Sequence, residues 1–446
     1  MGLGWHLRWR LSVLWALQWG ITGSILTYLP LYFAEKDLTR EQIGQLLAVS
    51  AVGLWLAPLI VGQVCDRWLA TEKYLALAHF VGGVTLFSIP IATDVYQQTG
   101  ENFSALTVLV GLFAAAYFPT IPLASSMTFR HLTNPDAQFG GVRIWGTVGW
   151  VLAGLSLSLW LGRDEAYMAF LRTFPSTMVR MEELRSAFSW MTEPSSSDCF
   201  RIAALLSFAL SSFCVFLPAT PPARKTSGAV APLQTLSLFR KSSFSFLIGV
   251  SFVLAAVVPF YTLAVPEMLE ARGYHSNWVP AVMTIGQVSE FPALLLLPFC
   301  LRRLGLKRTF ACGMAAWLVR YAAFAVGSPE WLIITGIALH GVCHVFLIIV
   351  IQLYVDSQCP ADLRASAQNL FAFLTMGIAM PLGFWFSGRL ADWSADATTG
   401  QLDPRIFFTV PAGIVLLLLV VYMRWFRLFG ETDSTAPGTP GSESAG

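Results

Sequence analysis

The sequence predicts an all-α integral membrane protein with twelve transmembrane helices in two six-helix halves. Three observations carry this: a charge-poor composition, a run of bilayer-length apolar stretches, and an echo between the two halves of the chain. Of 446 residues, 55% are apolar and only 12% charged, with a mean hydropathy of +0.62. A soluble chain carries about 25% charged residues to cover its surface. This chain cannot cover itself in that way and needs a lipid solvent.

A bilayer core is ~30 Å thick, so a spanning helix needs roughly 20 largely apolar residues. Twelve stretches meet the requirement, at 10–33, 41–65, 74–93, 104–125, 140–161, 201–219, 243–265, 276–300, 308–327, 330–354, 364–388 and 405–427. The first follows His6, Arg8 and Arg10, like the basic start of a signal peptide. Its apolar part is too long and no small-residue cleavage site closes it, so it is read as helix one.

The connections give orientation and domain boundaries. The N-terminus, the even-to-odd loops and the C-terminus together hold the majority of Lys and Arg, including Arg67, Lys73, Arg130, Arg224, Lys225, Arg302 and Arg303. By the positive-inside rule, both termini are expected in the cytoplasm and the chain in the plasma (inner) membrane. Residues 1–219 form the N-terminal half, 220–242 a Pro-, Ser- and Lys/Arg-rich cytoplasmic linker, and 243–430 the C-terminal half. The outer loop 162–200 contains YMAFLRTF and TMVRMEELRSAFSWM, each able to form an amphipathic helix at the interface. The end, 431–446, is too polar and too rich in Gly, Pro and Ser to bury a core and is expected to be disordered.

Charged residues inside spans cost ~2.5–3.5 kcal/mol at the midplane, so each needs a reason. Glu290 stands well inside the eighth span, with Gln287 one turn before it on the same face. A carboxylate in a low-dielectric cavity can exchange a proton near neutral pH. A structural ion pair with Arg143 or Arg320 is the alternative. Arg143, Thr147 and Trp150 share a face at the start of the fifth span, offering a planar donor fork and a flat stacking ring. Snorkelling of Arg143 to the headgroups is the competing reading. His340 and His344 lie one turn apart in the tenth span. That spacing suits a metal, but no third ligand is obvious except Glu290, and neutral hydrogen-bonded histidines are favoured. Gln18 and Trp19 are candidate cavity liners on helix one, Trp145 faces lipid or core, and Arg320 is expected to partner an acid or carbonyl.

The loop GQVCDRWLATEK (62–73) is echoed by PFCLRRLGLKR (298–308), with basic residues at matching places. Parallel six-helix repeats are the build of major facilitator transporters. Gly62, Asp66, Arg67 and Lys73 resemble that superfamily's loop signature, a conformational element. VRIWGTVG (142–149), GQVSE (286–290), AAWLVRYAAFAVG (315–327) and RASAQNLF (364–371) resemble the nucleoside:proton symporter family of that superfamily, nearly throughout the chain. The resemblance implies that Arg143, Thr147, Gln287 and Glu290 face a nucleoside, with Glu290 also coupling the proton. The chain departs from the family in three places. Pro259 and Thr262 stand where seventh-helix amides bind the substrate, and His344–Val345 replaces an aromatic–aspartate pair. His340 stands at an earlier tyrosine-like position.

The expected function is proton-coupled nucleoside uptake by alternating access, with a small-molecule substrate, a proton and the bilayer as partners. A carrier for sugars or organic anions and a non-transporting sensor are the alternatives. No nucleophile–base pair or nucleotide loop points to an enzyme, and no cofactor or metal is expected. The seven cysteines include no C-x-x-C spacing, and the net charge of +2 is too small for a nucleic-acid partner. A monomer is expected.

Overall fold

The computed structural model describes residues 4–56, 61, 64–65, 68–174, 193–222, 236–358 and 364–432. The first half of the chain contains α1 (Trp5–Ile25), α2 (Leu29–Glu35), α3 (Arg40–Val49), α4 (Val52–Leu56), α5 (Thr71–Thr99), α6 (Phe103–Tyr117), α7 (Thr120–His131), α8 (Pro135–Leu161), α9 (Arg163–Thr173) and α10 (Asp198–Phe213). The second contains α11 (Ser242–Ala271), α12 (Val279–Val288), α13 (Glu290–Val326), α14 (Glu330–Ala338), α15 (His340–Cys343), α16 (Val350–Gln358), α17 (Arg364–Ala372), α18 (Met380–Trp393) and α19 (Pro404–Thr432). Among the described residues, β-pairing is limited to one isolated bridge, Ala395 with Leu402.

Nine helical segments among the described residues are long and apolar enough to cross a membrane. Their outer faces carry the expected apolar belt, with Leu295 83% and Leu417 64% exposed. A soluble protein would not tolerate such exposure over a continuous surface. The chain is therefore a multi-pass integral membrane protein.

The structure divides the predicted spans differently. Span 10–33 is split between α1 and α2, with Pro30 opening α2, where its missing N–H costs nothing. Span 41–65 begins as α3 and α4, and most of its remainder lies outside the described residues. Spans 276–300 and 308–327 share one 51-residue helical segment. A straight helix of that length would measure roughly 75 Å, far more than a bilayer. The chain turns within it at Gly305, whose φ of 72° favours glycine.

At the borders, α9 forms within the outer loop, whereas TMVRMEELRSAFSWM lies outside the described residues. Of the linker, 223–235 lies outside them, and Leu236–Arg240 is a short 3-10 turn leading into α11. The terminal helix runs to Thr432, two residues into the stretch read as a tail, and 433–446 lie outside. The loop residues Gly62, Asp66 and Arg67 also lie outside the described residues.

Within the first half, α1 packs along α8 and α10, and α5 packs against α6 and α10. In the second, α13 packs on α19 and α11 on α18. The halves meet through α3 against α18 and α8 against α12. One end of that seam is latched by charge. Arg40 pairs with Glu267 (2.5 and 2.9 Å), and Arg389 pairs with Glu41 (2.8 Å). The backbone N–H groups of Arg40 and Glu41 donate to the Asp392 carboxylate at 3.1 and 2.8 Å. Asp392 thus places a negative charge at the positive end of α3. On the α8 and α12 side, Glu165 accepts from Trp278 Nε1 at 2.8 Å and lies 3.1 Å from His275 Nδ1.

Candidate functional site

Below this latch, the two halves bring different chemistry to the seam. On the first half, α1 and α8 cross at very close range: a Cβ on Gly149 would fall 2.0 Å from the Ala16 carbonyl oxygen. Small residues at such crossings let helix backbones touch. The contact sets Trp15 and Trp19 of α1 against Arg143 and Trp150 of α8. The Arg143 guanidinium lies 4.9 Å from both the Trp15 and the Trp19 ring centroids, within cation–π range. Trp19 and Trp150 stand 6.0 Å apart.

Arg143 is thus held between indoles, not extended to the headgroups as the snorkelling alternative would require. Thr147 is half-buried one turn further along. Trp145 is 44% exposed, which agrees with a lipid-facing position. Gln18 does not line the seam. It is fully buried inside the first half, donating to Thr120 Oγ1 at 2.8 Å, with its Oε1 3.0 Å from His79 Nε2.

On the second half, α12 passes into α13 through Ser289, whose φ and ψ of −67° and −14° remain right-handed helical, so Glu290 lies in the middle of the predicted span. A Cβ on Gly341 would fall 2.2 Å from the Ser289 carbonyl oxygen, and the Gly341 N–H donates to Ser289 Oγ at 2.8 Å. This approach carries His340 to Glu290, with Nε2 3.5 Å from Oε1. The rings of His340 and His344 stack at 5.7 Å, and Tyr261 of α11 stacks on His340 at 5.9 Å. His344 begins a π-helical stretch, His344–Ile349, a local widening frequent at functional sites. Thr262 is half-buried, and its neighbour Tyr261 is the α11 side chain that reaches the histidines.

Arg320 is 2% exposed and meets His340, not an acid or a carbonyl: Nη1 lies 3.2 Å from His340 Nδ1. Its guanidinium covers the Tyr261 ring at 3.8 Å. Neither arginine forms an ion pair with Glu290 among the described residues, although Arg143 and Glu290 face each other across the seam closely enough for their charges to interact. Possible ligand atoms of Glu290, His340 and His344 lie within 4.8 Å of one another. Guanidinium can only donate, so His340 Nδ1 must accept and Nε2 must carry the hydrogen. That hydrogen occupies the place where an ion would have to sit. The donor set fits a hydrogen-bonded cluster better than a metal centre.

Several buried polar atoms bordering the seam have no hydrogen-bond partner: Trp19 Nε1, Trp150 Nε1 and Gln287 Oε1. Buried polar atoms are nearly always satisfied, and such a group calls for an explanation. Trp15 and Tyr261 were not anticipated from the sequence. The four-residue spacing of Trp15 and Trp19 is visible there, but nothing local shows that Arg143 lies against both.

A family model described as nucleoside H+ symporter matches residues 5–171 and 178–430. The nucleoside permease NupG of Escherichia coli (strain K12) is 25% identical over 443 residues, covering 95% of this chain and 96% of its own. The xanthosine permease of the same organism is 25% identical, covering 94% and 95%. The crystal structure of nucleoside transporter NupG superposes with a TM-score of 0.75 at 24% identity, over 94% of this chain and 99% of that one. The likeness gives the fold as that of the major facilitators.

Proposed function

The chain belongs to the nucleoside H+ symporter family, and from that premise we propose how its seam binds a nucleoside and couples it to a proton. It is a secondary active transporter and not an enzyme. The substrate is held between the indole-and-arginine face of α1 and α8 and the Gln287–Glu290 face of α12 and α13. Arg143 donates to the base or ribose through its planar fork, Thr147 adds a hydroxyl, and Trp150 gives the base a stacking surface. Gln287 Oε1 accepts from the ligand. Glu290 alternates between carboxylate and carboxylic acid, and His340 and His344 form the wall behind it. Thr262 lines the same chamber in place of an amide.

The observation that carries this reading is the set of unpartnered polar atoms on both faces, Trp19 Nε1, Trp150 Nε1 and Gln287 Oε1. A nucleoside offers acceptors to the first two and hydroxyls to the third. With both termini in the cytoplasm, the latch at Arg40, Glu267 and Asp392 would lie at the outer end, which supports reading this conformation as one in which substrate exchanges with the cytoplasm. This goes with the proposed placement in the inner membrane: both termini cytoplasmic, halves at 1–219 and 243–430, the linker 220–242 inside, the protein acting as a monomer, and Gly62, Asp66 and Arg67 in a cytoplasmic loop that changes between states. Labelled uridine and adenosine uptake into proteoliposomes tests the reading. Accumulation should require an inward proton gradient, and labelled maltose should neither enter nor compete. Sugar uptake without nucleoside uptake would overturn it.

A further inference from the structure

The geometry points to Arg320 as a positioning residue that bars His340 from taking the coupling proton and leaves it to Glu290. The inference rests on the proposed transport site. Three groups in the cluster could bind a proton, the Glu290 carboxylate and the His340 and His344 imidazoles; Arg320 bears on His340, which lies 3.5 Å from Glu290. A neutral imidazole has one basic lone pair. Here it is on Nδ1, and the Arg320 Nη1–H points at it from 3.2 Å. Arginine keeps its charge in proteins and cannot accept. A proton added to His340 would have to displace this donor and would set two cations side by side.

The carboxylate has no such obstacle. Glu290 takes a proton on one oxygen to become a neutral acid, no other bond changes, and the His340 Nε2–H faces it in both states. The remaining groups around His340 do not reverse the assignment. Tyr261 presents its ring from α11, Tyr321 lies beside Arg320 on α13, and Cys343 and His344 belong to His340's own stretch. Arg143 approaches Glu290 from α8. Arg320 itself is locked in place, packed on Tyr261 at 3.8 Å. Its Nε and Nη2 have no hydrogen-bond partner among the described residues, and Tyr261 and Cys343 are its other polar neighbours.

The test is the nitrogen NMR spectrum of His340 in the full-length protein, assigned by its loss in His340→Gln, together with uptake against pH. In the wild type, His340 should stay neutral with the hydrogen on Nε2 from pH 8 to 5. In Arg320→Gln, a charged His340 fraction absent from the wild type should appear as the pH is lowered through that window. Whatever His340→Gln does to the basal rate, adding it to that variant should move the pH profile of proton-driven uptake back toward that of His340→Gln alone. Arg320→Lys, which keeps a charged donor, should resemble the wild type. Hydrogen on Nδ1, or a charged His340, in the wild type would overturn the inference, and so would an Arg320→Gln pH profile superposable on the wild type. If Arg320→Gln does not reach the membrane, the wild-type spectrum decides alone. The tautomer is read without transport, so persistence of coupling in Glu290→Gln would refute Glu290 as the carrier, whereas the barring of His340 by Arg320 would still be decided by the spectrum.

Discussion

The two faces of the seam differ in one respect that organises the mechanism. The first half offers rigid aromatic surface and a cation: Trp15, Trp19 and Trp150 around Arg143. The second half holds the cluster of Glu290, His340 and His344, with Glu290 as the proposed proton carrier. Indoles and guanidinium keep one protonation state across physiological pH, so the first face presents the same ligand surface throughout the cycle. The second can change its charge. In the proposed mechanism, substrate recognition rests mainly on the first half and proton carriage on the second, with the substrate connecting them through Gln287. A carrier built in this way can couple the two because both faces must be engaged before the halves rearrange.

If the division holds, single substitutions should separate the two roles. The largest effect is expected from Glu290→Gln, which retains shape and hydrogen bonding in a permanently neutral form. Accumulation against a gradient should fall to none, whereas exchange of labelled for unlabelled nucleoside should continue. Loss of exchange together with accumulation would mean that Glu290 belongs to both faces. Next comes Arg143→Lys. A hydrogen bond to a charged group is worth ~1.5–3 kcal/mol, so substrate affinity should weaken roughly ten- to a hundredfold, read as Kd by calorimetry. Affinity close to the wild type would remove Arg143 from the substrate face.

Trp150→Ala should cost less. Aromatic stacking contributes ~0.5–1.5 kcal/mol beyond area, or about two- to tenfold in KM, with the proton requirement unchanged. A change in the pH dependence of uptake in this variant would blur the division between the faces. The smallest effect is expected at the latch, where partly exposed ion pairs are worth ~1 kcal/mol or less. Arg40→Gln should shift the population toward separated outer ends. Spin labels at Asp37 and Thr399, in a cysteine-depleted background, should report this as added long distances.

Much of this was legible in the sequence, and the limits have physical causes. Bilayer thickness imposes a length on apolar runs, so the helical membrane architecture could be read from composition and periodicity. Hydropathy passes over the division of span 10–33 into α1 and α2, although Pro30 marks the start of the second helix. Arg143, Gln287 and Glu290 stood out because charge and amides are costly in lipid. Gln18 stood out for the same reason, yet His79 and Thr120 satisfy it within the first half. Polarity inside a span signals a partner, but the sequence does not say whether that partner is substrate or protein. The pairing of Arg320 with His340 depends on the crossing of α13 with the His340 segment, and the latch joins residues more than two hundred positions apart. No local pattern encodes either.

The division between the faces is tested most directly by recording proton entry when nucleoside is added to proteoliposomes carrying a trapped pH dye. The wild type should acidify the lumen on substrate addition, and Arg143→Lys should do so once substrate is raised to saturation. Glu290→Gln should give no acidification while still exchanging labelled nucleoside. Substrate-driven acidification persisting in Glu290→Gln, or absent from saturated Arg143→Lys, would contradict the assignment of the proton to the second half and the substrate to the first.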